Sequence, residues 1–488
     1  MKNFKDLREI YNNLATLICN FFFVMLSACK RILGVGQFFQ LRGTCSVTDP
    51  SRRRFRSKMD LNLKCRENPI VIKVDSPEFK SIFTEEVIDL KKIFDKYKHE
   101  IRIAGGAVRD LLMGLTPKDL DFATTATPEE MKEMFTAEEV RMINVNGERH
   151  GTITARINDK ENFEVTTLRI DMVTDGRFAD VQFTKDWKLD ANRRDLTINS
   201  MFLGFDGSVY DYFYGYEDLQ KRRVAFVGDP DVRVKEDYLR IMRYFRFYGR
   251  IALKPDNHEE ETLRVLKNNV HGLENISGER IWGELKKILQ GNFAGNLLKT
   301  MLNVGVGEYM GFPLSPNVQE LDMLLKRAHH LNLSPLSYLA ALVKDLDEVT
   351  VLHSRMKFSK LERDLLYFLV EHRDDKVSDR PMKPYESLIL NTSMKQKVAI
   401  EYVREVLKYR GDEELLKRLD NWEIPRFPVS GKTLKECGVP VGKMYGRIIN
   451  KLRDAWIDSE YKMTEKDLMS YLPNIIEEFE EKKIERNK

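Results

Sequence analysis

Residues 101–124 read Ile101-Arg-Ile-Ala-Gly105-Gly106-Ala-Val-Arg109-Asp110, then Leu-Leu-Met-Gly-Leu-Thr-Pro-Lys-Asp119-Leu-Asp121-Phe-Ala-Thr124. A short β-rich run that meets two glycines and turns helical lets backbone N–H groups approach a phosphate closely. Arg109, one turn into that helix, offers a charge-assisted contact to a triphosphate. Ten residues on, Asp119 and Asp121 stand two apart on a predicted strand, so both project from one face. Two convergent carboxylates suit hard Mg²⁺ ions, and a two-metal site suits in-line displacement at phosphorus. A lone Gly-Gly is usually a tight turn and a lone Asp-x-Asp a loop or cap. In this order and at this spacing the two become specific.

Outward from this stretch, residues 100–225 carry short β-rich runs: IRIAGG, LDFATTA, RMINVNG, GTITARI, NFEVTTLRI and DVQFT. Helical pieces are expected at 107–113 and 128–135, which makes an α/β nucleus with a mixed sheet. An amphipathic helix precedes it over 80–97. From about 232 to 420 the pattern is almost wholly helical. Residues 425–428 read as a linker, 430–472 as another helical unit, and the end past Pro473 as a solvated helix of alternating charge. The expected class is α+β: a mixed-sheet N-terminal unit followed by all-α units.

The 488 residues suggest about three folded units. With 32% charged and 42% hydrophobic residues, wholesale disorder, a collagen-like fibre and a multi-span membrane protein are excluded. Net charge is +4, but residues 1–59 hold 11 basic residues against Asp6, Glu9 and Asp49, leaving the rest at −4. A polyanion must therefore be held by local basic surface. Five cysteines, without CxxC or zinc spacing, indicate a reducing compartment. Ile10–Cys29 lacks charge and reads alone as a signal anchor, but Asn12, Asn13 and Asn20 weaken that reading. The acid-poor, Arg-rich stretch that follows, to Lys58, makes 1–58 a mitochondrial transit peptide. Met59 offers a second start, and with it a cytoplasmic and nuclear form.

Two further motifs are open on their own residues. Arg193-Arg194-Asp195-Leu-Thr-Ile-Asn199-Ser reads as a helix start with a polar cap. In Glu236-Asp237-Tyr-Leu-Arg240-Ile-Met-Arg243-Tyr-Phe-Arg246, Asp237 and Arg240 are i, i+3 neighbours on a predicted helix. Side by side they fit the Watson–Crick edge of C or A. The carboxylate takes the exocyclic amino group and repels the carbonyl of U or G. A surface ion pair on a basic helix is the other reading of the same residues.

GGAVRD…DLDFATTAT, RRDLTINSM, DYFYGYEDLQ…VGDP, EDYLRIMRYFRF and ISGERIWGELKKIL follow in order over residues 101–290. They resemble the successive motifs of the class II CCA-adding tRNA nucleotidyltransferases, in the DNA polymerase β-like superfamily. SGKTLKECGVPVGKMYGRIINKL resembles that family's C-terminal region. The resemblance implies a nucleotidyltransferase head at 80–225, a helical neck at 226–300, a body at 301–424 and a tail at 425–488. It implies that Asp119 and Asp121 hold Mg²⁺ and that Gly106 and Arg109 contact the nucleotide. Arg194, Asp237, Arg240, Arg243 and Arg246 would bind CTP or ATP, with Asp237 and Arg240 reading the base. The role of Arg194 rests on the resemblance alone. Glu164 is either a third acid or an exposed strand residue, and the loop-like segment 170–190 is expected to help switch between CTP and ATP.

The implied partner is tRNA, gripped at its acceptor and T arms, with Lys443, Arg447, Lys451 and Arg453 as candidate contacts against a solvated helix face. No stable membrane association is expected. A poly(A) polymerase of the same superfamily and an inert RNA-binding protein are the rival readings.

Overall fold

The computed structural model describes residues 65–143, 145–175, 178–376, 379–392, 394–439 and 442–486. The transit-peptide reading of 1–58, the uncharged run and Met59 lie outside them. Among the described residues no helix is long and apolar enough to cross a membrane.

The class is α+β, as expected. Ten strands are described: β1 (Ile70–Lys73), β2 (Ile101–Ala104), β3 (Asp121–Thr124), β4 (Arg141–Ile143), β5 (Thr152–Ile157), β6 (Glu161–Thr167), β7 (Arg169–Asp175), β8 (Phe178–Phe183), β9 (Phe202–Leu203) and β10 (Ser208–Asp211). Eight of them form one sheet in the order β1-β10-β9-β2-β3-β6-β5-β4. Only the β3–β6 pair is parallel, which makes the sheet mixed. Its first strand lies ahead of residue 80. Alternation assigns the two faces: Phe122 on β3 and Phe163 and Val165 on β6 enter the main core, with the two rings edge to face at 5.6 Å. Asp121 and Glu164 alternate with them and point the other way.

The helix expected over 80–97 is two helices, α1 (Pro77–Ser81) and α2 (Glu85–Lys96). The Thr84 hydroxyl accepts from Val87 N, so it caps a new helix where the periodicity ran on. In the sheet unit α3 (Gly106–Leu112) follows β2, and α4 (Pro128–Ala137) opens on a Thr127/Glu130 capping box. Next come α5 (Trp187–Asn192) and α6 (Gly215–Gln220). Segment 170–190 is not a loop. Among the described residues β7 and β8 pair antiparallel as a separate two-stranded sheet, and α5 follows it. Beyond residue 229 every described element is a helix: α7 (Pro230–Glu236), α8 (Leu239–Ile251), α9 (Glu260–Asn269), α10 (Gly278–Leu289) and others up to residue 486.

One continuous apolar core runs from the sheet through these helices to Leu419, whereas Val429–Ile475 pack around Trp456 in a cluster of their own that also takes in Leu390. Residues 422–430 between them have no helix or strand. The helix Leu472–Arg486 is not wholly solvated, because Leu472 and Ile475 enter the Trp456 cluster.

A candidate nucleotide-binding and catalytic cleft

A cleft of about 930 Å³ lies where the sheet meets α8 and α10. Its lining includes every site residue expected from sequence: Gly106, Arg109, Asp119, Asp121, Arg194, Asp237, Arg240, Arg243 and Arg246. Glu164, Arg280 and Arg250 line it as well.

The floor is acidic. β3 begins at Asp121, and Asp119 lies in the preceding bend, so the two acids do not share a strand as expected. The acid beside Asp121 on the sheet is Glu164, its parallel-register partner on β6. Glu164 is exposed, and the surface it is exposed to is the cleft. Desolvation, then the charges of Glu164 and Asp119, raise the Asp121 pKa above the ordinary 3.8 against the pull of Arg194. Uncompensated like charges fit a hard divalent cation. Among the described residues no three His, Cys, Asp or Glu side chains already form a metal centre.

The end of the cleft expected to take phosphate is built on β2 and α3. Gly105 has φ 66°, a conformation that favours glycine, and a Cβ there would stand 3.1 Å from Arg194 Nη1. Arg109 is only 3% exposed; it donates to Asn199 Oδ1 at 2.5 Å and twice to Asp110 Oδ1 at 3.0 and 2.9 Å. Arg194 donates to Asp190 Oδ2 at 3.3 and 3.1 Å and to the Asn199 carbonyl at 3.3 Å. Burial lowers its pKa, and Asp190 opposes that shift. The RRD motif does not start a helix: Arg193 follows the end of α5, and Thr197–Asn199 form a 3₁₀ turn.

Asp237 and Arg240, the pair expected to read the base, are not the i, i+3 helix neighbours expected from sequence. Asp237 is extended (φ −151°, ψ 106°) between α7 and α8, and its Oδ1 accepts from Leu239 N at 3.1 Å. An Asp side chain competes for backbone N–H groups and so interrupts the helix. Asp237 Oδ2 accepts from Arg280 Nη2 at 3.3 Å. Arg280 stands in the ISGERIWGELKKIL motif but shows no role in sequence. Arg240 is buried and donates to Glu236, to the Arg233 carbonyl and to the Arg193 carbonyl at 2.5, 2.9 and 3.1 Å. The surface ion-pair reading of Asp237 with Arg240 is therefore not what forms. Nε–H and one Nη2–H of Arg240 keep no acceptor among the described residues.

Arg243 donates to Asp195 Oδ2 at 2.6 Å, and Arg246 to Glu284 at 3.2 and 3.3 Å. The guanidinium carbons of Arg109, Arg243 and Arg246 lie 5.0, 5.5 and 5.0 Å from the ring centre of Phe247. That π face eases the crowding of three cations. Asp195, Phe247 and Arg280 are the participants that sequence reasoning missed, since only the fold brings them together.

Of the tail candidates, Arg453 donates to the Leu390 carbonyl and Asn391 Oδ1 at 2.7 and 3.2 Å. It braces this unit on its neighbour. Lys451 pairs with Glu478, while Arg447 is exposed.

Residues 101–225 match the family model "Poly A polymerase head domain", and residues 258–313 match "Probable RNA and SrmB- binding site of polymerase A". The chain is 51% identical over 425 residues to CCA tRNA nucleotidyltransferase 1, mitochondrial, of Danio rerio, covering 86% of this chain and 98% of that protein. It is also 51% identical over 405 residues to the Homo sapiens protein of the same name, covering 82% and 93%. Its fold matches Bacillus stearothermophilus CCA-adding enzyme, solved with CTP, at TM-score 0.65 and 24% identity, covering 84% of this chain and 100% of that one.

Proposed function

The chain belongs to the CCA tRNA nucleotidyltransferases, and on that premise we propose how its cleft adds C, C and A to the 3′ end of tRNA from CTP and ATP. The observation that carries the reading is the joining, in one cleft, of an acidic floor to a wall of oriented arginines and a base-reading carboxylate. The tRNA 3′-hydroxyl attacks the α-phosphate of CTP twice and then of ATP, and pyrophosphate leaves each time. Enzymes of this superfamily use divalent metal ions, and we assign Mg²⁺ to Asp119 and Asp121, with Glu164 as the neighbouring acid. Bound there, it supplies Lewis-acid activation of the hydroxyl and offsets charge on the leaving pyrophosphate.

Gly106 and Arg109 take the phosphates, helped by Arg194, Arg243 and Arg246, whose partners Asp190, Asp195 and Glu284 hold them in place before substrate arrives. Asp237, steadied by Arg280, accepts from N4 of cytosine or N6 of adenine, and Arg240 donates its free N–H groups to the adjoining ring nitrogen. The β7–β8 sheet is assigned to the change from CTP to ATP. Head, neck, body and tail take the ranges 80–225, 226–300, 301–424 and 425–488, with β1 and α1 added to the head. Body and tail hold the acceptor and T arms of tRNA by backbone and shape. The chain acts in the mitochondrion, as the vertebrate relatives' names and the composition of 1–58 support, and a start at Met59 would add a cytoplasmic and nuclear form.

The test supplies a tRNA transcript ending at its discriminator base with Mg²⁺ and CTP, ATP, both, UTP or GTP. Products are resolved at single-nucleotide length. Two additions from CTP, a third only with ATP and then a stop are expected. A long ladder from ATP alone would make the chain a poly(A) polymerase instead, and no extension would leave an inert RNA-binding protein.

A further inference from the structure

Asp110 is 7% exposed and lies between two guanidinium groups. Its Oδ1 accepts from Nε and Nη2 of Arg109, and its Oδ2 accepts from Nη2 of Arg250 at 2.7 Å. Arg250 comes from α8, the helix that also presents Arg240, Arg243 and Arg246, and it is 140 residues away in the chain. Arg109 spends Nε–H, one Nη1–H and one Nη2–H on Asp110 and Asn199. One N–H remains on each terminal nitrogen. Both nitrogens stand at Gly106, where a Cβ would lie 3.6 Å from Nη2 and 3.9 Å from Nη1.

We infer that Asp110 and Arg250 are positioning residues for the triphosphate: the chain Arg250–Asp110–Arg109 aims the two free N–H groups of Arg109 over the start of α3 and ties that aim to the base-reading helix. The inference rests on the reading of the Gly106–Arg109 end as the phosphate end. A guanidinium aligned in advance binds phosphate without the entropy loss of ordering a long side chain on arrival. Arg250 supplies the alignment from outside the head. Without it one oxygen of a buried carboxylate loses its cation, and the plane of Asp110 no longer has a fixed direction. The phosphate grip is thereby tied to α8, the helix that carries Arg240.

Inorganic tripolyphosphate, tested as a competitor of CTP on the full chain, reads the phosphate grip without a base. Wild type should be inhibited, and Arg109→Ala should weaken that inhibition; if it does not, the phosphate reading fails before the bridge is tested. Arg250→Ala should raise the tripolyphosphate Ki and the KM for CTP and ATP by a common factor of about 10. The KM for tRNA and the preference for C over U should not move. Arg250→Lys, which keeps a donor for Oδ2, should recover most of the loss. Adding Arg250→Ala to Asp110→Asn should make it no worse, since both break one path. The bridge is overturned by a Ki within about twofold of wild type in Arg250→Ala. It is also overturned by losses that multiply, meaning Arg250 touches phosphate itself, or by a loss confined to thermal stability or the KM for tRNA, meaning a structural strut. If buried Asp110→Asn does not fold, the two Arg250 variants decide.

Discussion

The floor and the wall of the cleft treat charge in opposite ways. On the floor Asp119, Asp121 and Glu164 stand together with no ion pair to any of them among the described residues, and desolvation, with the charges of Glu164 and Asp119 added to it, raises the pKa of Asp121. On the wall Arg109, Arg194, Arg240, Arg243, Arg246 and Arg280 each have an acid: Asp110, Asp190, Glu236, Asp195, Glu284 and Asp237. Unrelieved repulsion is a site for a cation, because the energy it stores is released on binding. Paired arginines are different: the partner spends some of their donors to orient the others, so they suit a ligand whose shape is to be recognised.

The largest effect expected from this contrast is on the floor. Asp119→Ala or Asp121→Ala should lower kcat by at least about 10³-fold with no loss of melting temperature. Near-normal incorporation by either variant would break the metal assignment. On the wall, Asp237→Asn presents both a donor and an acceptor to the base. Discrimination against UTP should fall by about 10–100-fold while CTP turnover changes less, measured as kcat/KM ratios. Asp195→Asn removes the charge that orients Arg243 and should raise the KM for CTP by about tenfold with little change in preference between C and U. A changed preference there would erase the distinction between orienting and reading residues.

The smallest effect is on stability and returns to the floor. A raised Asp pKa means the folded state binds that proton more tightly than the unfolded state. The penalty is absent below the unfolded value, grows as pH rises through the folded value and is complete above it. Asp121→Asn should therefore raise the melting temperature of the metal-free protein by about 1–2 °C at pH 7.5, small because solvent screens the site. The gain should shrink as pH falls towards about 4. Mg²⁺ should stabilise wild type more than the variant in the same scan.

The cleft acids Asp119 and Asp121, the glycine turn and the arginine-bearing helix were legible in sequence because each needs particular residue types at short spacing. The exposed acid of β6 was half legible: Glu164 reads as an ordinary strand residue until the parallel register sets it beside Asp121. The break between α7 and α8 was hidden, because an uninterrupted amphipathic pattern cannot show an Asp side chain capturing the N–H of Leu239. The tail was hardest, since its basic residues look alike in sequence. Yet Arg453 is committed to backbone and Asn391, Lys451 to Glu478, and Arg447 is exposed.

By itself the sequence determined the α+β class, the order of the units, the two aspartates and the cations of the neck, because local periodicity and motif chemistry act over a few residues. Tertiary structure alone decided which acid joins Asp121, which partner orients each arginine and that Arg250 reaches Asp110. Those pairings span up to 140 residues, and only the packing of the neck helices onto the sheet brings their ends within hydrogen-bonding distance.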